Sequence, residues 1–239
     1  MSAMLNIFLV LTQVTFILSA LLPIEKCTLT DTACLQKSSQ NALSEFVKGI
    51  PEVGVEPLEP VRIDLIDINL AGLMLTLKDA NIQGLSKSVV DKVKIDTTKK
   101  IFHFDFHAPL VLKGKYKAEG RLLILPISGD GDVTIKIKNL ELFMTIPYDI
   151  VKNENGKDVI ELKSYKYTFK NQVNTHFKLT NLFNGNKGLS DAMLTFMNEN
   201  WQPISQEFGT PMLEKPMEKI YTAIKTYIRS QPLEDLLVL

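Results

Sequence analysis

Between Val61 and Leu179 the apolar residues of this chain recur at every second position, and beyond Asn184-Gly185-Asn186-Lys187-Gly188 they recur at every third or fourth. That change of period constrains the fold more than any other feature. Side chains alternate across a strand, whereas on a helix they follow 3.6 residues per turn. Val61, Ile63 and Leu65 alternate with Arg62 and Asp64, Leu73, Leu75 and Leu77 with Met74, Thr76 and Lys78, and Phe102, Phe104 and Phe106 with His103, Asp105 and His107. Further strands are predicted over 110–116, 120–127, 132–148, 159–170 and 173–179. Asn155-Gly156 falls between two of them and is a hairpin signal. Consecutive strands joined by short turns specify an antiparallel meander, which twists and curves.

A sheet with one apolar face must cover it. The element large enough to do so is the C-terminal stretch. Its apolar residues step through Leu189, Ala192, Met193, Phe196, Met197, Trp201, Ile204 and Phe208, pause near Gly209 and Pro211, and resume from Leu213 through Met217, Ile220, Tyr221, Ile224, Tyr227 and Ile228. This predicts one long helix or two end to end. A shorter helix precedes the sheet, capped by Thr30 or Asp31, with Leu35, Ala42, Leu43, Phe46, Val47 and Ile50 on its apolar face. Gly49 and Pro51 end it, and Pro51 to Pro60 reads as an extended connector. The expected class is α+β, a long C-terminal helix wrapped by a curved antiparallel sheet, in which the space along the helix is either filled by side chains as a dry core or left as an apolar tunnel.

With 239 residues, 45% of them hydrophobic, the chain can bury a substantial core. Lys plus Arg equals Asp plus Glu at 27 each, so no net charge draws it to nucleic acid. Residues 1–20 carry no charged side chain and hold an apolar block from Leu5 to Leu18 before Ser19-Ala20, which reads as a cleaved secretory signal. The domain proper is then 21–239, secreted and extracellular. Cys27 and Cys34 are the only cysteines. In an oxidising compartment they are expected to pair, since two thiols without a nearby His do not make a zinc set.

Several constellations are of residue types that can carry chemistry. His103, Asp105 and His107 share one strand face and are of metal-ligand type, but same-face neighbours stand about 7 Å apart, so a solvated face is the simpler reading. Gly129-Asp130-Gly131-Asp132 lacks the spacing of a calcium or phosphate loop and reads as a tight turn. No Gly-x-Ser-x-Gly elbow is present, which leaves His176 as the candidate base of a lipid-ester hydrolase. Lys113, Lys115, Lys117, Arg121, Lys136 and Lys138 form a basic stripe, read as the wet face of strands. For ligand binding the candidates are apolar residues of both walls: Leu75, Leu77, Phe104, Leu123, Leu125, Phe169 and Phe177 from strands, and Met193, Phe196, Met197 and Trp201 from the helix. Tyr148 and Tyr165 would orient a ligand through their hydroxyls. Register decides which of these face inward.

Four motifs in order carry a resemblance. They are Cys27-x6-Cys34, Lys48-Gly49-Ile50-Pro51-Glu52-Val53-Gly54-Val55-Glu56-Pro57-Leu58-Glu59-Pro60, Gly114-Lys115-Tyr116 through Gly120 to Gly131, and Asn181-Leu182-Phe183-Asn184-Gly185-Asn186 leading to Asn198-Glu199-Asn200-Trp201. In these the chain resembles the insect Takeout and juvenile hormone binding protein family over nearly its whole length beyond residue 20. The resemblance implies a tubular lipid-binding fold, a single disulfide of the Takeout branch, and a monomeric, non-enzymatic carrier of a juvenile hormone-like sesquiterpenoid, fatty acid or other long-chain lipid. Feeding, circadian output and chemosensation are roles within that family. Pro203 and Pro216 depart from the family pattern and predict kinks in the long helix. The alternatives are a hydrolase using His176 and an extracellular interaction module with a dry core.

Overall fold

The computed structural model describes residues 22 and 24–238, and the expected signal segment over residues 1–20 lies outside them. The order is β1 (Cys27–Thr28), α1 (Thr32–Phe46), β2 (Val61–Leu70), β3 (Leu73–Gln83), β4 (Val89–Asp96), β5 (Ile101–Leu122), β6 (Leu125–Lys152), β7 (Asp158–Leu162), β8 (Lys166–Asn171) and β9 (Thr175–Leu179). Then come α2 (Lys187–Glu199), α3 (Trp201–Ser230), a single turn α4 (Leu233–Leu236) and β10 (Leu237–Val238).

Two strands organise the sheet. β5 runs for 22 residues and β6 for 28, paired antiparallel from Ile101↔Pro147 to Leu122↔Leu125. At about 3.3 Å per residue, β6 would be roughly 90 Å long if straight, whereas a domain of this size has a radius of gyration of about 18 Å. The pair therefore has to coil, and the register shift between Ala108 and Leu110 is one place where it bends. β4 pairs with the first part of β5 and β3 with the last, with β2 beyond β3. Along β6 the partners are β9, then β8, then β7. The curled antiparallel sheet and the long helix are as expected, and Asn155-Gly156 does form the turn between β6 and β7.

The strand divisions differ from expectation. Strands predicted separately at 102–106, 110–116 and from 120 belong to the single strand β5. Its turn into β6 is Leu123-Ile124, with Leu123 at a φ of 53° and no turn-forming residue in it. Gly129 to Asp132 is not a turn but the interior of β6. A Cβ on Gly129 would stand 2.3 Å from the Tyr116 hydroxyl, and one on Gly131 would stand 2.6 Å from the Thr180 carbonyl oxygen. These glycines mark close approach rather than chain reversal.

The helix breaks near Pro203, one of the expected places, and at none of the others. α3 runs unbroken through Gly209, Pro211 and Pro216, and the break falls at Asn200. The break accommodates Pro203, whose ring would meet a helical carbonyl four residues back, at Glu199, where α2 ends. As third residue of α3 it sacrifices no bond of that helix, because first-turn N–H groups lack intrahelical acceptors. Gly209 gives the Phe169 ring a landing place, since a Cβ there would lie 2.4 Å from the ring.

Helical carboxamides cover two exposed sheet edges. On β4, the Val90 N–H donates to Gln40 Oε1 at 2.7 Å and the Val90 carbonyl accepts from Gln36 Nε2 at 2.8 Å. On β9, Asn198 of α2 does the same for Phe177. At these two residues the edge groups are satisfied and closed to another strand. The Cys27–Cys34 disulfide forms as expected and ties β1 to the first turn of α1, where the Asp31 side chain accepts from the Cys34 N–H. β1 in turn pairs in parallel with β10.

Candidate functional site: two apolar cavities along one helix

The sheet and α3 enclose two cavities in line. The first, of ≈170 Å³, lies where α1, β4, the start of β5, the end of β6, β7 and the end of α3 converge, closed by residues flanking β1 and β10. Its walls include Leu35, Leu43 and Phe46 of α1, Phe102 and Phe104 of β5, and Ile224, Tyr227 and Ile228 of α3. The second, of ≈150 Å³, lies at the other end, beneath the β5–β6 hairpin. Leu73, Leu75 and Leu77 of β3, Leu110 and Leu112 of β5, and Ile204, Phe208 and Leu213 of α3 line it.

A waist separates them, and three elements show it in order. Along β5 the inward side chains pass from Phe102 and Phe104 at the first cavity, through Phe106 and Ala108, to Leu110 and Leu112 at the second. Along β6, Leu142, Met144 and Ile146 lie between Leu140 and Tyr148; along α3, Met217 and Ile220 lie between Leu213 and Ile224. Met144 and Met217 are both 0% exposed. The apolar space beside the helix is present, and these side chains divide it in two.

Polar groups in the first cavity are few. The Ser38 hydroxyl donates to the Glu25 carbonyl at 2.9 Å. Tyr148 and Tyr227 place phenols in the wall, and burial pushes the Tyr227 hydroxyl up to about 12. Burial, with the nearby charge of Asp96, raises that of Tyr148 as well. Neither phenol donates to a protein acceptor among the described residues. Walls like these hold hydrocarbon and leave little to grip an ion.

Of the residues selected from sequence, Phe104 and Tyr148 line the first cavity, and Leu75, Leu77, Phe169, Phe177 and Met197 line the second. Leu123, Leu125, Tyr165, Met193, Phe196 and Trp201 line neither. Leu123 sits in the β5–β6 turn, and Leu125, Phe196 and Trp201 are partly buried against the core. Met193 is fully packed, and Tyr165 stacks on Tyr221 with ring centroids 4.3 Å apart. The sequence reading placed the helical wall too early: α3 supplies it from Ile204 to Ile228, and only Met197 of α2 contributes. It also missed α1, whose apolar face was legible but whose position against β4 was not.

The remaining constellations lie outside both cavities. His107 Nδ1 lies 2.8 Å from an oxygen of Asp91, and no group of three or more acidic, His or Cys residues among the described residues is arranged to hold a metal. Asp105 carries a raised carboxyl pKa, chiefly from burial. His176 is exposed on the outer face of β9, opposite Lys136, while its neighbours Thr175 and Phe177 turn to the second cavity. The six basic residues of the stripe are all exposed, with Lys115 paired to Asp132. No helix among the described residues is long and apolar enough to cross a membrane.

Comparison with known proteins accords with this architecture. The family model for haemolymph juvenile hormone binding protein matches residues 6–238. The crystal structure of Takeout 1 from Epiphyas postvittana superposes with a TM-score of 0.89 at 43% identity, covering 90% of this chain and 100% of that one. The circadian clock-controlled protein daywake of Drosophila melanogaster is 31% identical over 214 residues, 84% of this chain and 82% of that protein. The juvenile hormone-binding protein of Manduca sexta is 33% identical over a shorter span of 79 residues, 32% of this chain and 34% of that protein. With a family model matching almost end to end and a fold shared with Takeout 1, the chain belongs to the haemolymph juvenile hormone binding protein family, beside its Takeout-like members.

Proposed function

We propose that this protein is a secreted, monomeric carrier that sequesters a small hydrophobic ligand, a juvenile hormone-like sesquiterpenoid, fatty acid or other long-chain lipid, without chemically altering it. The observation that carries this reading is the pair of cavities aligned along α3 with almost wholly apolar walls. Burying hydrocarbon there supplies affinity at about 25 cal/mol per Å² of apolar area. Phe104 and Tyr148 in the first cavity, and Leu75, Leu77, Phe169, Phe177 and Met197 in the second, are the contacts expected among the residues selected from sequence. The Tyr148 hydroxyl orients a polar head group, adding a modest increment to affinity. A hydrolase reading finds no support in His176, which turns away from both cavities. The name of the Manduca sexta relative is in keeping with an apolar terpenoid cargo.

The test is native mass spectrometry of the purified protein, followed by solvent extraction and saturation binding of juvenile hormone, fatty acid and quinone probes. A copurifying lipid in fixed ratio, or saturable uptake of one probe class, is the expected result. An empty protein that takes up none of them would replace the carrier with an interaction module.

A further inference from the structure

The second cavity is walled by Leu, Ile, Val, Phe, Met and similar groups, but at one point three polar side chains meet. Asn171 is the last residue of β8, Thr175 the first of β9, and Ser205 lies in the second turn of α3. They converge beside the β6 register shift, where that strand changes partner from β9 to β8: Thr175 pairs with Ile137 and Asn171 with Leu140. The Asn171 side-chain amide donates to Thr175 Oγ1 at 2.7 Å and to Ser205 Oγ at 3.1 Å. Both hydrogens of that amide are thereby used.

A hydroxyl that accepts in this way still carries its own hydrogen. Neither Thr175 nor Ser205 donates that hydrogen to a protein acceptor among the described residues, although Thr175 is 2% exposed. The Asn171 amide ties the end of β8 to the start of β9 and to α3, and that tie makes no use of the two hydroxyl hydrogens. It also leaves the Asn171 carbonyl oxygen buried without a partner, a cost that structures ordinarily avoid. Asn171 thus fixes two hydroxyls as acceptors on its own side, leaving their hydrogens for whatever occupies the cavity.

We propose that Thr175 and Ser205 form a two-donor clip for the carbonyl oxygen of a ligand held in the second cavity, so that the cargo class there is a long-chain ketone, ester or carboxylic acid rather than a plain hydrocarbon. A carbonyl oxygen offers two lone pairs and brings no hydrogen that would need an acceptor in that wall. The proposal rests on the carrier reading, and Asn171 acts in it as a positioning residue. The clip supplies selectivity, and the surrounding apolar wall supplies affinity.

The test compares two probes of one shape, a long-chain methyl ketone and the alkene in which C=CH2 replaces C=O, each displacing a fluorescent hydrophobic probe from the full chain. The wild type is expected to bind the ketone about tenfold more tightly. In Ser205→Ala, and further in Thr175→Val/Ser205→Ala, the ratio is expected to fall towards one. Equal binding of the two probes by the wild type overturns the clip and leaves the carrier standing. So does a ketone preference that survives in a folded Ser205→Ala or double variant. Failure of the wild type to bind either probe overturns the clip, and overturns the carrier as well if the juvenile hormone, fatty acid and quinone probes are also refused.

Discussion

Asn198 pairs with the backbone of Phe177 in both directions: its Oδ1 accepts from the Phe177 N–H at 2.8 Å and its Nδ2 donates to the Phe177 carbonyl at 3.1 Å. One carboxamide thus imitates a strand residue along the outer side of β9, and its Nδ2 also reaches the Leu194 carbonyl at 2.8 Å. It joins the end of α2 to a residue whose ring lines the second cavity. In Asn198→Ala the two Phe177 groups lose these partners. We expect a loss of about 1–3 kcal/mol, with Asn198→Asp intermediate because a carboxylate still accepts but cannot donate. Urea unfolding of both variants measures this, and an unchanged alanine variant would show that the pair contributes nothing.

Gly209 is a helical residue at which alanine should harm rather than help. Alanine ordinarily favours a helix over glycine by about 1 kcal/mol. Here the added Cβ would meet the Phe169 ring at 2.4 Å, and overpacking of this kind costs about 1–3 kcal/mol. Gly209→Ala is therefore expected to lower the melting temperature, and trimming the ring in Gly209→Ala/Phe169→Leu should recover part of the loss. A melting temperature raised by the single variant would contradict this account.

The waist makes a prediction about cargo length. Met217 is fully buried between the α3 residues that line the two cavities. Met217→Ala should cost about 2–5 kcal/mol while joining the two spaces. A fatty acid series titrated against wild type and variant would then show the preferred chain shifted to greater length. An identical length profile in the folded variant would mean that the waist does not limit the ligand.

Tyr116 and Tyr227 predict alkaline instability. Burial pushes both phenols from 10.0 up to about 12, with the charge of Asp130 adding to the effect at Tyr116. The folded state then keeps its phenolic protons at a pH where the unfolded chain releases them. The contribution is complete below pH 10 and is lost as pH rises towards 12, each phenol adding a slope of up to about 1.4 kcal/mol per pH unit. Urea midpoints taken from about pH 9 to 11 should fall less steeply in Tyr227→Phe than in wild type. Equal slopes in a Tyr116→Phe/Tyr227→Phe double variant would sink the assignment.

Much of this architecture was legible because one physical rule governs each period. Phe102, Phe104 and Phe106 alternate because one face of β5 is turned to the core and the first cavity, and the helical steps from Ile204 to Ile228 follow from packing against the sheet, chiefly β7 and β2. Other features depended on contacts between distant parts of the chain. Gly129 and Gly209 look like punctuation in sequence, yet each accommodates an aromatic side chain from elsewhere, Tyr116 in one case and Phe169 in the other. The reversal at Leu123-Ile124 carries no turn residue at all, so the pairing of β5 with β6 imposes it. Pro203 was read as a kink, and its effect falls three residues earlier because its ring acts on the carbonyl four positions back. The cavity-lining set was half legible for the same reason: parity along a strand is local, but whether an inward side chain meets space or another side chain depends on what α1 and α3 place opposite it.

The parallel pairing of β1 with β10 has a kinetic consequence. Cys27 must find Leu237, with almost the whole chain between them. A contact that encloses so long a loop is paid for late, after the intervening segments have shortened the distance. β10 is also synthesised after everything the pair encloses. The expected order therefore seals the first cavity last, over walls that have already folded, and late protection of the β1 and β10 amides in pulse-labelled hydrogen exchange during refolding would check it.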